Sequence, residues 1–261
     1  MALIVLTSAS GSPGVTSTAT GLSWTWPRPV LLVDADPTGG SAVLAGALRG
    51  RWTPRDSMVD LAMAAQNGGL ATRLAEAVQV VPGTRVKLLS GPRSHVQSRG
   101  LRALWAPLTA TLRGLESTGQ DVVVDAGRLG LEGSPMPLIK GADMTLLVTR
   151  TDLVSLSAAR SWAQSLKSEM ESAGASRSLG LLLVGEGEPY SSREVSKVLG
   201  LPVVATIAWD PNEAKVFSRG TPPSKRFEHG ALVRSLVATR SAIDSWVAAT
   251  RADLQQTRSG A

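Results

Sequence analysis

Leu6-Thr7-Ser8-Ala9-Ser10-Gly11-Ser12-Pro13-Gly14-Val15-Thr16-Ser17-Thr18-Ala19 is the stretch on which the reading of the fold turns. It follows Ala2-Leu3-Ile4-Val5, an apolar run that reads as a buried parallel strand, and it leads into a helical pattern through Leu22. Strand, glycine-containing loop and helix in that order form a phosphate-binding loop, where backbone N–H groups and a helix N-terminus meet an anion.

Outward from that loop, the first helix ends at Pro27 and Val30-Leu31-Leu32-Val33 reads as a second buried strand. It stops at Asp34-Ala35-Asp36-Pro37-Thr38-Gly39-Gly40, which taken alone is a turn. Following a phosphate-type loop, the same two carboxylates lie at a strand's carboxyl end, where ligands bind in a doubly wound sheet. The run from Asp121 through Asp125 to Arg128 is another apolar strand closing on a carboxylate. Many parallel strands end in Asp, and one opposite a phosphate loop commonly holds Mg²⁺ through water.

Met144 to Val148, Leu179 to Val184 and Val203 to Ile207 are further apolar runs, and 78–81 and 86–89 read as short strands around a turn. Helical patterns lie between them, at 41–76 with breaks near 51–54 and 68–69, at 99–115, through about 173, at 191–199 and at 230–252. Pro107 predicts a break or a start within the second of these. Strands without alternation, separated by helices, predict an α/β fold: a single doubly wound, mostly parallel sheet with helices on both faces. One domain over residues 1–250 is expected, and the polar stretch 251–261 is expected to be a disordered tail.

The 261 residues, 43% of them hydrophobic, suffice for one large core. With no Cys and two His, thiolate and His-rich metal sites are excluded, so a metal would be Mg²⁺ on oxygen ligands. No apolar run approaches the ~18–20 residues of a membrane-spanning helix, and the opening lacks a basic leader with a cleavage site, so a cytoplasmic protein is expected. The net charge of +6 suits DNA or an anionic surface. The basic residues are nonetheless dispersed, so an ordinary solvated surface is favoured over DNA.

In this order the landmarks resemble the ParA/MinD family of deviant P-loop ATPases over nearly the whole chain. Gly11 to Ala19 is similar to the family's Gly-Lys-Gly-Gly-Val-Gly-Lys-Thr-Thr loop, with Ser12 and Ser17 at the Lys positions and Pro13 and Thr16 at Gly positions. Asp34 to Gly39 resembles the switch I segment, Val122 to Gly127 the Walker B strand with switch II, and Trp209-Asp210-Pro211 with Ser218-Arg219-Gly220 the adenine-side loop. The eroded loop is most similar to TadZ/CpaE-like proteins, which position pilus or secretion machinery. Here the loop's strand begins at residue 2, so their usual N-terminal receiver-like domain is not expected.

The resemblance implies nucleotide contacts by Gly11, Ser12, Pro13, Gly14, Val15, Thr16, Ser17, Thr18, Ala19, Asp210 and Pro211. It implies Mg²⁺ held by Thr18, Asp34 and Asp125, a water-orienting catalytic role for Asp36, and ATP or ADP with Mg²⁺ as ligand. It also implies a nucleotide-dependent homodimer and protein partners from a secretion, pilus or partition system. Each lost Lys removes charge-assisted bonds worth on the order of 1–3 kcal/mol, and hydrolysis suffers more than binding. Arg28, Arg128 or an Arg from a partner are the open sources of replacement charge. The family's adenine-recognising Asn is replaced by Gly185-Glu186. Three readings follow: a nucleotide-responsive positioning protein with slow or absent hydrolysis, a nucleotide-free scaffold, and a DNA-partition ATPase.

Overall fold

The apolar runs form the strands β1 (Leu3–Ser8), β2 (Val30–Asp34), β3 (Gln79–Val80), β4 (Val86–Leu89), β5 (Asp121–Arg128), β6 (Met144–Arg150), β7 (Leu179–Val184) and β8 (Val203–Ile207). They lie in one sheet in the order β3-β4-β2-β5-β1-β6-β7-β8. Each neighbouring pair is parallel except β3 with β4 at one edge. The structure is a computed structural model that describes residues 2–10, 12–54 and 58–259.

Side chains alternate across this sheet, and both faces are covered, so the strands need apolar residues at every position. Leu3, Val5, Leu31, Val33, Val122 and Val124 face one core. It is closed by α2 (Met58–Gln66), α3 (Leu70–Ala77), α5 (Arg102–Gly114), α6 (Met136–Gly141), α7 (Leu153–Ser172) and α8 (Ser192–Leu199). Ile4, Leu6, Val30, Leu32 and Val123 face the other, closed by α1 (Val15–Trp24), α9 (Lys215–Arg219) and α10 (Ala231–Ser259). Gly21 of α1 is a close-packing point, since a Cβ there would lie 2.8 Å from Leu236 of α10.

The helices differ in detail from the sequence pattern. The breaks expected near 51–54 and 68–69 are present, and the pattern at 41–76 opens with a π-helical turn at Val43–Ala47, whose exit places Arg49 at φ 54° and Gly50 at φ 63°. Pro107 neither starts nor breaks a helix but lies inside α5, and the break falls at Leu101, between α4 (His95–Gly100) and α5. Burial of Leu104, Trp105, Leu108 and Leu112 holds the α5 axis through the proline. The backbone of α10 also continues to Ser259, beyond the expected start of the tail, and Arg251 is tied to Glu116 at 2.5 Å and Asp143 at 3.1 Å. No helix among the described residues is long and apolar enough to cross a membrane.

The two ends of the sheet use carboxylates differently. At the amino end, Asp121 accepts hydrogen bonds from the Ala2 N–H and the Trp26 indole, and Asp143 accepts one from the Leu3 N–H, so these groups clamp β1. Arg28 belongs to this end, paired with Asp121 at 2.9 Å and Asp244 at 3.2 Å. These pairs raise the guanidinium's pKa, the Asp121 hydrogen bond most, and Arg28 does not supply charge to the loop. At the carboxyl end Asp34 and Asp125 form no ion pair among the described residues, and the Oδ2 atom of each has no hydrogen-bond partner.

Candidate functional site

The loop joins β1 to α1 at the carboxyl end of the sheet. Gly11 lies outside the described residues. Ser12 is exposed with φ 59°, Pro13 is buried, and Gly14 caps α1 at φ 95°, a left-handed conformation that suits glycine. The first helical bond is Thr18 N–H to the Gly14 carbonyl at 2.8 Å. That leaves the N–H groups of Val15, Thr16 and Ser17 as the free donors of a helix N-terminus.

Two cavities meet across these residues. One, of about 450 Å³, is lined by Ser8, Ser12 to Ser17, Asp36, Thr38, Gly127, Arg128 and Leu131. The other, of about 430 Å³, shares Ser12, Pro13, Gly14 and Ser17 and adds Thr18, with Trp209, Asp210 and Pro211 after β8 and Phe217 and Arg219 of α9. Both volumes are in the range of small-ligand sites. Of the predicted contacts, Ala19 lines neither cavity; it is fully buried in the core beneath α1.

Behind the first cavity, β2 and β5 run side by side with Asp34 in register with Asp125. Asp34 is 2% exposed and Asp125 1%, and the Oδ2 atom of each has no hydrogen-bond partner. Burial raises both carboxyl groups above the usual range, Asp34 to about 6 and Asp125 to about 7. Their mutual repulsion, and that of Asp36, acts in the same direction. Hydrogen bonds act against it: Asp125 Oδ1 accepts from the Gly127 N–H at 3.0 Å and Asp34 Oδ1 from the Asp36 N–H at 3.4 Å, and the nearby hydroxyls of Thr16 and Ser41 lower the two values in the same way.

Asp36 is half-buried at the cavity wall, where its Oδ1 accepts from the Thr38 N–H at 2.9 Å and from the Thr38 hydroxyl. Its carboxylate rests on Gly127, which has φ 61°; a Cβ at Gly127 would lie 2.4 Å from the Asp36 Cγ. The segments after β2 and along the end of β5 therefore touch directly, and Gly127 bonds to Asp125 while supporting Asp36.

Mg²⁺ keeps several waters and takes one or two carboxylates together with phosphate oxygens. Two adjacent carboxylates with unpartnered buried oxygens fit that demand, because an unsatisfied buried polar atom calls for an ion or water. Among the described residues no group of three or more His, Asp or Glu is placed to hold a metal, which leaves room for water and phosphate ligands. Asp34 and Asp125 would hold the ion and balance its charge. The hydroxyls that act on this pair are those of Thr16 and Ser41, while Thr18 lines the second cavity.

In the second cavity, Asp210 turns its Oδ1 onto the N–H groups of Asn212 at 3.1 Å and Glu213 at 3.0 Å, so its carboxylate shapes the loop. Trp209 is 41% exposed, with the Arg150 guanidinium 4.1 Å from its ring centroid, a cation–π contact. Glu186, where the adenine-reading Asn was expected, accepts from the Ser192 N–H at 3.2 Å. Sequence reasoning missed Thr16 beside Asp125, Ser41 beside Asp34, and Arg150 over Trp209. The only cue was position, and these pairs join distant segments.

No family model and no curated protein matches this sequence. Solved structures match closely in shape. The MinC:MinD cell division protein complex of Aquifex aeolicus matches with TM-score 0.69 and 17% identity, over 93% of this chain and 95% of that chain. The septum site-determining protein MinD of Pyrococcus horikoshii, complexed with Mg-ADP, gives TM-score 0.68 and 20% identity over 92% and 95%. A ParA family ATPase from Chlorobium tepidum gives TM-score 0.68 and 18% identity over 90% and 97%. With its mostly parallel eight-stranded sheet covered by helices on both faces, the chain has the P-loop fold of the MinD and ParA ATPases.

Proposed function

We propose that this protein is a Mg-nucleotide-binding positioning protein of the ParA/MinD kind, with hydrolysis slow or absent because Ser12 and Ser17 stand where the family has lysines. The observation that carries this reading is the pair of buried, unpartnered Asp34 and Asp125 oxygens beside the free N–H groups of α1. Two cavities share the loop, one reaching Asp36, Gly127 and Arg128 and the other Trp209, Asp210 and Pro211, and they suit a phosphate chain and a base. A scaffold selected only for its surface has no need of buried charge, which is costly to keep without a partner. That argument favours nucleotide binding over the nucleotide-free scaffold.

The machine positioned is, by the resemblance of the eroded loop, a Tad-type pilus or secretion system, and the working form is a nucleotide-dependent homodimer in the cytoplasm. The dispersal of basic residues keeps DNA partition as the lesser alternative. Sedimentation velocity of the full chain with Mg-ATP, with Mg-ADP and without nucleotide tests the reading. A dimer favoured by Mg-ATP supports it; the same sedimentation in all three contradicts it.

A further inference from the structure

Resting on the nucleotide-binding reading above, we infer that Arg128 is the cationic phosphate-binding residue of this site, replacing from β5 the charge lost from the loop. Arg128 is the last residue of β5 and the only exposed one in a strand whose other seven positions are buried. It follows the Gly127 bend, where the pairing of β1 with β5 shifts register and sets Ser8 beside Arg128. That irregularity turns the end of an otherwise interior strand to the cavity.

Arg128 supplies the one Lys, Arg or His side chain among the residues lining the 450 Å³ cavity, which it shares with Ser12 to Ser17. Arg28 is engaged by Asp121 and Asp244, and Arg150 by Asp152 and the Trp209 ring, while Arg219 lines the second cavity and not this one. Arg128 forms no ion pair with any described residue, although Asp36 lines the same cavity and is occupied by Thr38. Its guanidinium fork remains free for an anion.

The charge balance needs such a group. Asp34, Asp36 and Asp125 gather at this end of β2 and β5, and the loop contributes backbone N–H groups and uncharged hydroxyls. A phosphate chain entering beside three carboxylates is repelled unless cations balance them; Mg²⁺ supplies two charges and Arg128 a third. Arginine suits the task from a strand end because its planar fork takes two phosphate oxygens at once.

The test is calorimetric titration of the full chain with Mg-ATP and with AMP, for the wild type, Arg128→Ala, Arg128→Lys and the exposed control Arg160→Ala. Arg128→Ala is expected to weaken Mg-ATP binding by about 10- to 100-fold, to leave AMP binding within about twofold, and to leave the melting temperature unchanged. Arg128→Lys should fall between, and Arg160→Ala should match the wild type. Equal affinity of Arg128→Ala and wild type for Mg-ATP, or parallel losses for ATP and AMP, overturns the assignment of Arg128 alone. A wild type that binds neither nucleotide overturns the nucleotide-binding reading, and this assignment with it.

Discussion

Asp125→Asn is expected to raise the melting temperature of the nucleotide-free protein at pH 8 and to abolish its stabilisation by Mg-ATP. At that pH Asp125 and Asp34 both lie above the values of about 7 and 6 to which burial has pushed them, so the wild type carries two buried, adjacent charges. Neutralising one removes repulsion and a desolvation cost on the order of 2–4 kcal/mol. For a chain of this size that corresponds to about 5–15 °C in melting temperature. The same change removes a candidate cation ligand.

The pH dependence has a definite sign. Between the ordinary carboxyl range near 4 and the folded values of about 6 and 7, the folded chain holds protons that the unfolded chain has released. The contribution of this pair to stability is therefore complete below about pH 4 and declines as pH rises through 6 and 7. Thermal melts of the nucleotide-free protein from pH 4 to pH 8 should show this decline, reduced in Asp125→Asn. A decline of equal size in both proteins would show that the pair does not cause it. Mg²⁺ competes with the same protons, so its effect on the wild type should grow with rising pH.

Ser17→Lys is expected to convert the protein into a faster ATPase. Ser17 is half-buried and lines both cavities at the position of the family's second loop lysine, so an ammonium there would reach a bound phosphate chain. A charge-assisted contact should tighten Mg-ATP binding about tenfold or more. Because it acts on charge that grows in the transition state, hydrolysis should rise by roughly 10²- to 10³-fold. Phosphate release measured on the two proteins checks this. Equal rates would mean that the lost lysine charge does not limit turnover.

Much of this site was legible because its parts are local. The runs ending in Asp34 and Asp125 read as buried strands, and two such strands in a doubly wound sheet place their last residues at one edge. Sequence pattern does not reveal which end of the sheet a side chain between elements will reach. Arg28, ahead of β2, pairs with Asp121 at the amino end, while Arg128, just past a register shift, reaches the cavity. Thr16 stands at a glycine position of the loop, and its effect on Asp125 crosses from loop to strand. Pro107 shows the same limit in the fold, since its propensity to break a helix was overridden by the side chains that α5 buries.

The central claim is that the eroded loop still binds nucleotide, and that it does so through a divalent cation beside Asp34 and Asp125. Isothermal titration of the full chain with ATP and with ADP, each with Mg²⁺ and with the metal chelated, tests it most directly. Saturable binding of both nucleotides with Mg²⁺, lost on chelation, is the predicted result. No heat of binding at millimolar Mg-ATP, or equal binding with and without the metal, would contradict it.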